Sequence, residues 1–92
     1  MSVIVIIPTA LRQYANDLAE LKVEVQTVGQ ALDRLTIECT ELRRHLYNEQ
    51  DRLRNFVNVY LNDEDIRHIS GQDTAVKDGD TIMIVPAIAG GK

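Results

Sequence analysis

Val3 to Ile7 form an unbroken run of β-branched apolar residues halted by Pro8. That is the pattern of a strand buried on both faces or nearly so. Leu21-Lys22-Val23-Glu24-Val25-Gln26 alternates apolar and polar residues, as a strand with one face on the core does. Residues 9–20 between them have mixed character, and Gln13 to Glu20 fits either a helical turn or a long hairpin loop. The period then changes. Val28, Leu32, Leu35, Cys39, Leu42 and Leu46 recur in steps of four and three, which is one apolar stripe on a helix. Ala31 widens the stripe and Ile37 falls outside it. Thr27 with Gln30 makes a capping-box start, satisfying backbone donors that the first turn leaves free. The pattern predicts one helix from about Val28 to about Leu46, with Gly29 and the Thr36-Ile37 pair costing it some propensity.

Asn48 to Arg54 is polar and charged, a surface connection. Phe56 to Asn62 alternates again. Val57, Val59 and Leu61 face one way, and Phe56, Asn58, Tyr60 and Asn62 the other. Asn62-Asp63-Glu64-Asp65 is turn chemistry, and Ile66 to Ile69 is predicted as a short return strand. Gln72 to Val76 fits a helical turn, and Lys77-Asp78-Gly79-Asp80 a tight turn. Thr81 to Val85 is the last strand, halted by Pro86. The order is therefore β-β-α-β-β-β. The first and last strands are the most uniformly apolar, a character that central strands need, so they are placed side by side in the middle of a mixed sheet. This is an α+β chain with the ubiquitin-like β-grasp arrangement: four to five strands on one main helix. The domain spans 1–86, and 87–92 is a free tail expected to be flexible.

Composition narrows the function. The chain has 92 residues, 45% of them apolar, with a net charge of −4. That fits one small soluble domain with little room for a deep internal pocket. The acidic balance argues against nucleic acid, whose phosphates call for a basic stripe. The apolar start is too short for a signal peptide or a membrane span, so a cytoplasmic protein is expected. Cys39, the single cysteine, falls on the helix stripe and reads as a buried structural thiol. His45 and His68 have no partners at ligand spacing. Both read as surface residues, and no metal is predicted. The carboxylates Asp63, Glu64, Asp65, Asp73, Asp78 and Asp80 have turn formation as their default role, with an acidic rim meeting a basic partner as the alternative. Phe56 and Tyr60 share the strand face opposite the valines. With Met83 and Val85 they form a candidate docking patch on the open side of the sheet, unless the 9–20 loop covers them.

The end of the chain, Ala89-Gly90-Gly91-Lys92, carries the candidate chemistry. Two glycines do little for a fold, because each has much backbone freedom to lose. They do make a thin strip of backbone that a narrow cleft can grip. Residues 87–91, if extended, reach on the order of 15 Å from the sheet.

The run Asp78-Gly79-Asp80-Thr81-Ile82-Met83-Ile84-Val85-Pro86-Ala87-Ile88-Ala89-Gly90-Gly91 resembles the end of the ubiquitin-like sulfur carriers, the MoaD/ThiS family. The segment Phe56 to Arg67 and the opening Ile7-Pro8-Thr9-Ala10-Leu11-Arg12 look most like the branch that supplies sulfur for cysteine. The resemblance implies a protein cosubstrate rather than an enzyme, with no bound cofactor. The working group would be the carboxylate of Gly91, with Ala89, Gly90 and Gly91 as the recognised strip. A partner of the ubiquitin-activating type would use ATP to adenylate that carboxylate, and sulfur would then displace AMP to leave a thiocarboxylate. In the cysteine branch the acceptor is an aminoacrylate on a pyridoxal-phosphate-dependent cysteine synthase, and a zinc metallopeptidase releases the product. Lys92 departs from the family pattern. It is a precursor residue that the metallopeptidase trims, a residue appended from outside the natural gene, or the mark of a chain without carrier activity. Within the family, molybdopterin and thiamin synthesis are the alternative destinations for sulfur. Outside it, the alternatives are a protein modifier conjugated to lysines and a plain interaction module.

Overall fold

The computed structural model describes residues 1–86. Five strands form one mixed sheet: β1 (Ser2–Ile6), β2 (Glu20–Glu24), β3 (Val57–Leu61), β4 (Glu64–Asp65) and β5 (Thr81–Pro86), in the order β2-β1-β5-β3-β4. The two ends of the described chain lie side by side at its centre. β1 and β5 pair in parallel, with Val5 opposite Ile82 and Ile6 opposite Met83. β3 closes the other side of β5 antiparallel, from Val57 opposite Pro86 to Leu61 opposite Ile82. This is the expected β-grasp. The tail assigned to 87–92 lies outside the described residues.

Alternation along the central strands sorts the residues between the two faces. Val3, Val5, Val59, Ile82 and Ile84 are buried beneath the helices with Val28, Leu32, Leu35, Leu42 and Leu46. β1 is less enclosed than its composition suggests: Ile4 and Ile6 keep partial exposure on the opposite face. β2 runs from Glu20 to Glu24 with Leu21 and Val23 half-buried, and its outer edge has no neighbouring strand among the described residues.

The predicted single helix is two. α1 (Val28–Glu38) ends where Cys39 leaves helical geometry at φ −122°, ψ 78°, and α2 (Thr40–Leu46) begins at once. The apolar stripe survives the break, because every member of it is buried. Four residues of low helix propensity, Thr36, Ile37, Cys39 and Thr40, crowd this point. The Thr36 hydroxyl also donates to the carbonyl of Asp33 (3.1 Å), a bond that weakens the local ladder. At the other end the capping box forms. The amide of Gln30 donates to Thr27 Oγ1 (3.2 Å), and the Gln30 side chain accepts from the Gln26 amide (2.8 Å) rather than from that of Thr27. Gly29 has a packing reason: a Cβ there would stand 3.0 Å from the carbonyl oxygen of Gln72.

The connections resolve the open assignments. Thr9–Tyr14 is a 3-10 helix that packs on α2 and leaves the open sheet face uncovered. Ile66 to Ile69 is not a strand. The Asp65 carboxylate accepts from the Arg67 amide (2.9 Å) and starts a 3-10 turn, Ile66–His68, after only two residues of β4. Local side-chain capping of this kind competes with ladder pairing. A second 3-10 turn, Gly71–Asp73, replaces the helical turn expected over Gln72 to Val76.

Leu35 is fully buried and Ile37 is 70% exposed, two residues apart on one helix. Leu35→Ala is therefore expected to lower the unfolding free energy by about 2–5 kcal/mol, and Ile37→Ala by less than about 0.5 kcal/mol. Urea denaturation of the two variants measures the difference.

Candidate functional site: the open sheet face and the root of the tail

The face of the sheet turned away from the helices carries the residues that alternate with the core. Tyr60 lies opposite Met83, which in turn lies opposite Ile6, and Asn58 lies opposite Val85. Met83 and Val85 are exposed at 40% and 36%, and Tyr60 is half-buried. A shallow hollow of about 620 Å³ runs over this face, lined by Tyr60, Asn62, Asp63, Thr81, Met83 and Val85. The patch expected from the sequence thus has three of its four members together.

Phe56 is the exception. It lies in the turn before β3 rather than in the strand, and it lines a separate cleft of about 360 Å³ with Leu11, Arg44, His45, Arg54 and Pro86. That cleft sits where β5 ends.

Hydrogen bonds fix both rims of the open face. Beyond β3, Asn62 and Asp63 have φ of 50° and 79° in a two-residue hairpin, a geometry that asparagine and aspartate tolerate. Asn62 Nδ2 donates to Asp80 Oδ1 (2.8 Å), and Asn62 Oδ1 accepts from the Thr81 amide (2.9 Å). Asp80 also accepts from the Lys77 amide (2.8 Å), and Asp78 from the Ser2 amide (2.6 Å). These carboxylates do the turn-building that is their default role. They gather at the Leu61–Thr81 end of the sheet, away from Pro86.

On the sheet edge, Arg67 Nη2 donates to Asp65 Oδ2 (2.7 Å) and Asn58 Oδ1 (2.6 Å). Hydrogen bonds from the Arg67 side chain and amide hold the Asp65 carboxyl down to about 2.

Cys39 is buried as expected. Burial, then the neighbouring Glu38 carboxylate, pushes its thiol up and away from reactivity. His68 is exposed. His45 is not the surface residue expected: its ring stacks on Tyr14 at 3.7 Å between centroids, and its Nε2 is buried with no hydrogen-bond partner among the described residues. The α2 stripe alone does not reveal this, because Tyr14 comes from a segment whose conformation has no periodic signature. Arg54 also escaped sequence reasoning, which assigned it to a solvated connection. Its Nε donates to the carbonyl of Arg44 (3.0 Å), tying the 54–56 turn to α2. Among the described residues, no three His, Cys, Asp or Glu side chains gather as a ligand set for a metal, and no helix is long and apolar enough to cross a membrane. Ala89, Gly90, Gly91 and Lys92 lie outside the described residues.

A small β-grasp domain whose last described strand ends at Pro86, a few residues before a Gly-Gly pair in the sequence, is the architecture of a ubiquitin-like protein. The ThiS family profile matches residues 5–91, and the chain belongs to that family. It is 37% identical over 93 residues to the sulfur carrier protein CysO of Mycobacterium tuberculosis, covering 99% of this chain and 100% of that protein. It is also 37% identical over 65 residues to the small archaeal modifier protein 3 of Haloferax volcanii, covering 71% and 70% of the two chains. Its fold matches a chain in the crystal structure of the Amycolatopsis orientalis BexX/CysO complex with a TM-score of 0.86 and 39% identity, over 96% of this chain and 98% of that one.

Because the carboxyl of Asp65 is lower in the folded chain than unfolded, its contribution to stability is complete above its ordinary value near 3.8. The contribution is lost as pH falls toward about 2. A carboxyl-detected NMR titration should place its midpoint near the lower value. Arg67→Ala should return it to the ordinary carboxylate range, and an unmoved midpoint would contradict the assignment.

Proposed function

We propose that this chain is a sulfur carrier whose working group is the carboxylate of Gly91, exposed by removal of Lys92. A free carboxylate is ionised at neutral pH and resists attack by nucleophiles. Activation solves this. A carboxylate oxygen of Gly91 attacks the α-phosphorus of ATP on a ubiquitin-activating-type enzyme, releasing pyrophosphate. Hydrosulfide then adds at the acyl carbon and AMP leaves, so that the chain ends in a thiocarboxylate. The carrier binds no cofactor of its own, and the ATP belongs to the activating enzyme. The observation that carries this reading is the family match, which extends through the Gly-Gly pair to Gly91 and stops before Lys92. Similarity to CysO carriers along the whole chain supports it.

Within that reading the sulfur goes to cysteine synthesis. A pyridoxal-phosphate-dependent cysteine synthase accepts it, and a zinc metallopeptidase trims the tail, both before activation and after transfer. The support is the Phe56–Arg67 segment together with the CysO relatives. The open face of Tyr60, Met83 and Val85 is the docking surface. It is rigid, partly apolar and continuous with the strand that leads to the tail.

A second reading, conjugation of Gly91 to lysines of other proteins, is favoured by the similarity to small archaeal modifier proteins. Target lysines carrying an isopeptide-linked remnant of the tail, found in digests of cell extract, would establish it. Their absence alongside free thiocarboxylate would favour the carrier.

The test of the main reading uses two versions of the chain, one ending at Gly91 and one at Lys92. Each is incubated with the activating enzyme and ATP. Only the shorter should release pyrophosphate, and equal turnover of both would defeat the proposal. In the same assay Met83→Asp should raise the KM for the carrier on the order of tenfold without lowering its thermal stability, since the side chain is already 40% exposed. An unchanged KM would remove the open face from the docking surface.

A further inference from the structure

The cleft at the root of the tail has a composition unlike that of the rest of this acidic chain. Two arginines and a histidine line it with Leu11, Phe56 and Pro86, and among the described residues no carboxylate does. Arg44 has one partner, the Glu41 carboxylate on the same helix (3.0 Å), in an exposed pair. The Arg54 side chain is held by its Nε, against the Arg44 carbonyl, and forms no ion pair among the described residues. Phe56 is 43% exposed beside them. The imidazole in the same lining has a buried nitrogen without a hydrogen bond among the described residues. Among the described residues, the Arg54 guanidinium therefore has no carboxylate partner beside Pro86, the last of them. The carboxylates that build the Asn62 and Asp80 turns stand at the other end of the sheet.

Resting on the carrier reading above, we propose that this cleft is a docking point for an acidic side chain of the activating enzyme. An aspartate or glutamate carboxylate would be seated between Arg54 and Arg44 with an apolar neighbour against Phe56. An enzyme that draws in the tail must surround its root, so whatever grips residues 87–91 comes to face this cleft. The occupant is a carboxylate rather than a phosphate of the nucleotide. Drawn out fully in the enzyme's grip, five residues would set the acyl end on the order of 15 Å from Pro86, and the nucleotide would be held at that end. Arginine suits the role: its guanidinium is weakly hydrated and matches a carboxylate with paired donors. An exposed aromatic next to such a pair is the composition of an energetic centre in an interface. The alternative of an acidic rim meeting a basic partner places its contact at the far turns, whereas the tail leaves from the basic end.

The test measures the KM for carrier ending at Gly91 in the pyrophosphate-release assay, over a range of salt concentrations. Arg54→Glu and Arg44→Glu are compared with Lys77→Glu, which makes the same change in net charge at the exposed turn of the far end. Arg44→Glu keeps the bond from Arg54, because that bond is to a backbone carbonyl. It therefore serves if Arg54→Glu loosens the turn, and circular dichroism reports whether each variant is folded. The expected result is a KM raised on the order of tenfold for both arginine variants at low salt, with a flattened salt dependence, and a change within about twofold for Lys77→Glu. Equal effects at both ends would mean that net charge alone acts, and unchanged KM in folded arginine variants would mean that the cleft meets no carboxylate. Either overturns the inference while the carrier reading stands. No pyrophosphate from the unaltered chain ending at Gly91 would end the carrier reading and this inference with it.

Discussion

The parallel pairing of β1 with β5 is the constraint on which the rest of the molecule depends. It joins Ile4, Val5 and Ile6 to Thr81, Ile82 and Met83 at the centre of the sheet, across nearly the whole length of the described chain. A parallel pair cannot be closed by a tight turn, so everything between must serve as its crossover. The helices α1 and α2 cover the face that this crossover encloses, and Leu32, Leu35, Leu42 and Leu46 seal Val5, Ile82 and Ile84 beneath them. With β3 on its other side, β5 is held on both edges at Ile82 and Met83, and from Ile84 to Pro86 by β3 alone. Pro86, opposite Val57, is the last described residue of that strand, and the Gly-Gly pair follows it in the sequence.

The same arrangement divides the surface. Helices on one face leave the other to Tyr60, Met83 and Val85, whose exposure follows from strand alternation and not from any local distortion. The turns at the Asn62 and Asp80 end spend their carboxylates on backbone amides and on the Asn62 side chain. The other end carries arginines tied to backbone carbonyls: Arg12 to that of Ile7 and Arg54 to that of Arg44. On the proposed carrier reading, function is divided between the folded domain and a backbone terminus. The one thiol, Cys39, is buried and its ionisation is opposed by its surroundings.

Much of this was legible in the sequence because it rests on periodicity. The apolar runs at Val3–Ile7 and Thr81–Val85 marked the central strands, the stripe from Val28 to Leu46 marked the covering helices, and Thr27 with Gln30 marked where they start. What escaped depended on contacts between segments or on competition within a few residues. The break at Cys39 leaves the burial pattern intact, so periodicity passes straight through it. The 3-10 turn at Ile66 is set by a single carboxylate, Asp65, capping the Arg67 amide, where a strand pattern would have continued. Phe56 has the alternation of a β3 residue but lies one position before the ladder begins, and so it lines the tail-root cleft instead of joining Tyr60. The stack of His45 on Tyr14 joins a helix to a segment without a period, and no spacing rule could announce it.

The central claim is that the useful atom of this protein travels on its backbone terminus. Intact-mass spectrometry of the chain purified from its own cells addresses that claim most directly. The account predicts a population ending at Gly91 that is heavier by the difference between one sulfur and one oxygen atom, and that reverts to the carboxylate form after mild hydrolysis. A chain found only with Lys92 in place and without added sulfur, in cells actively assimilating sulfur, would contradict it.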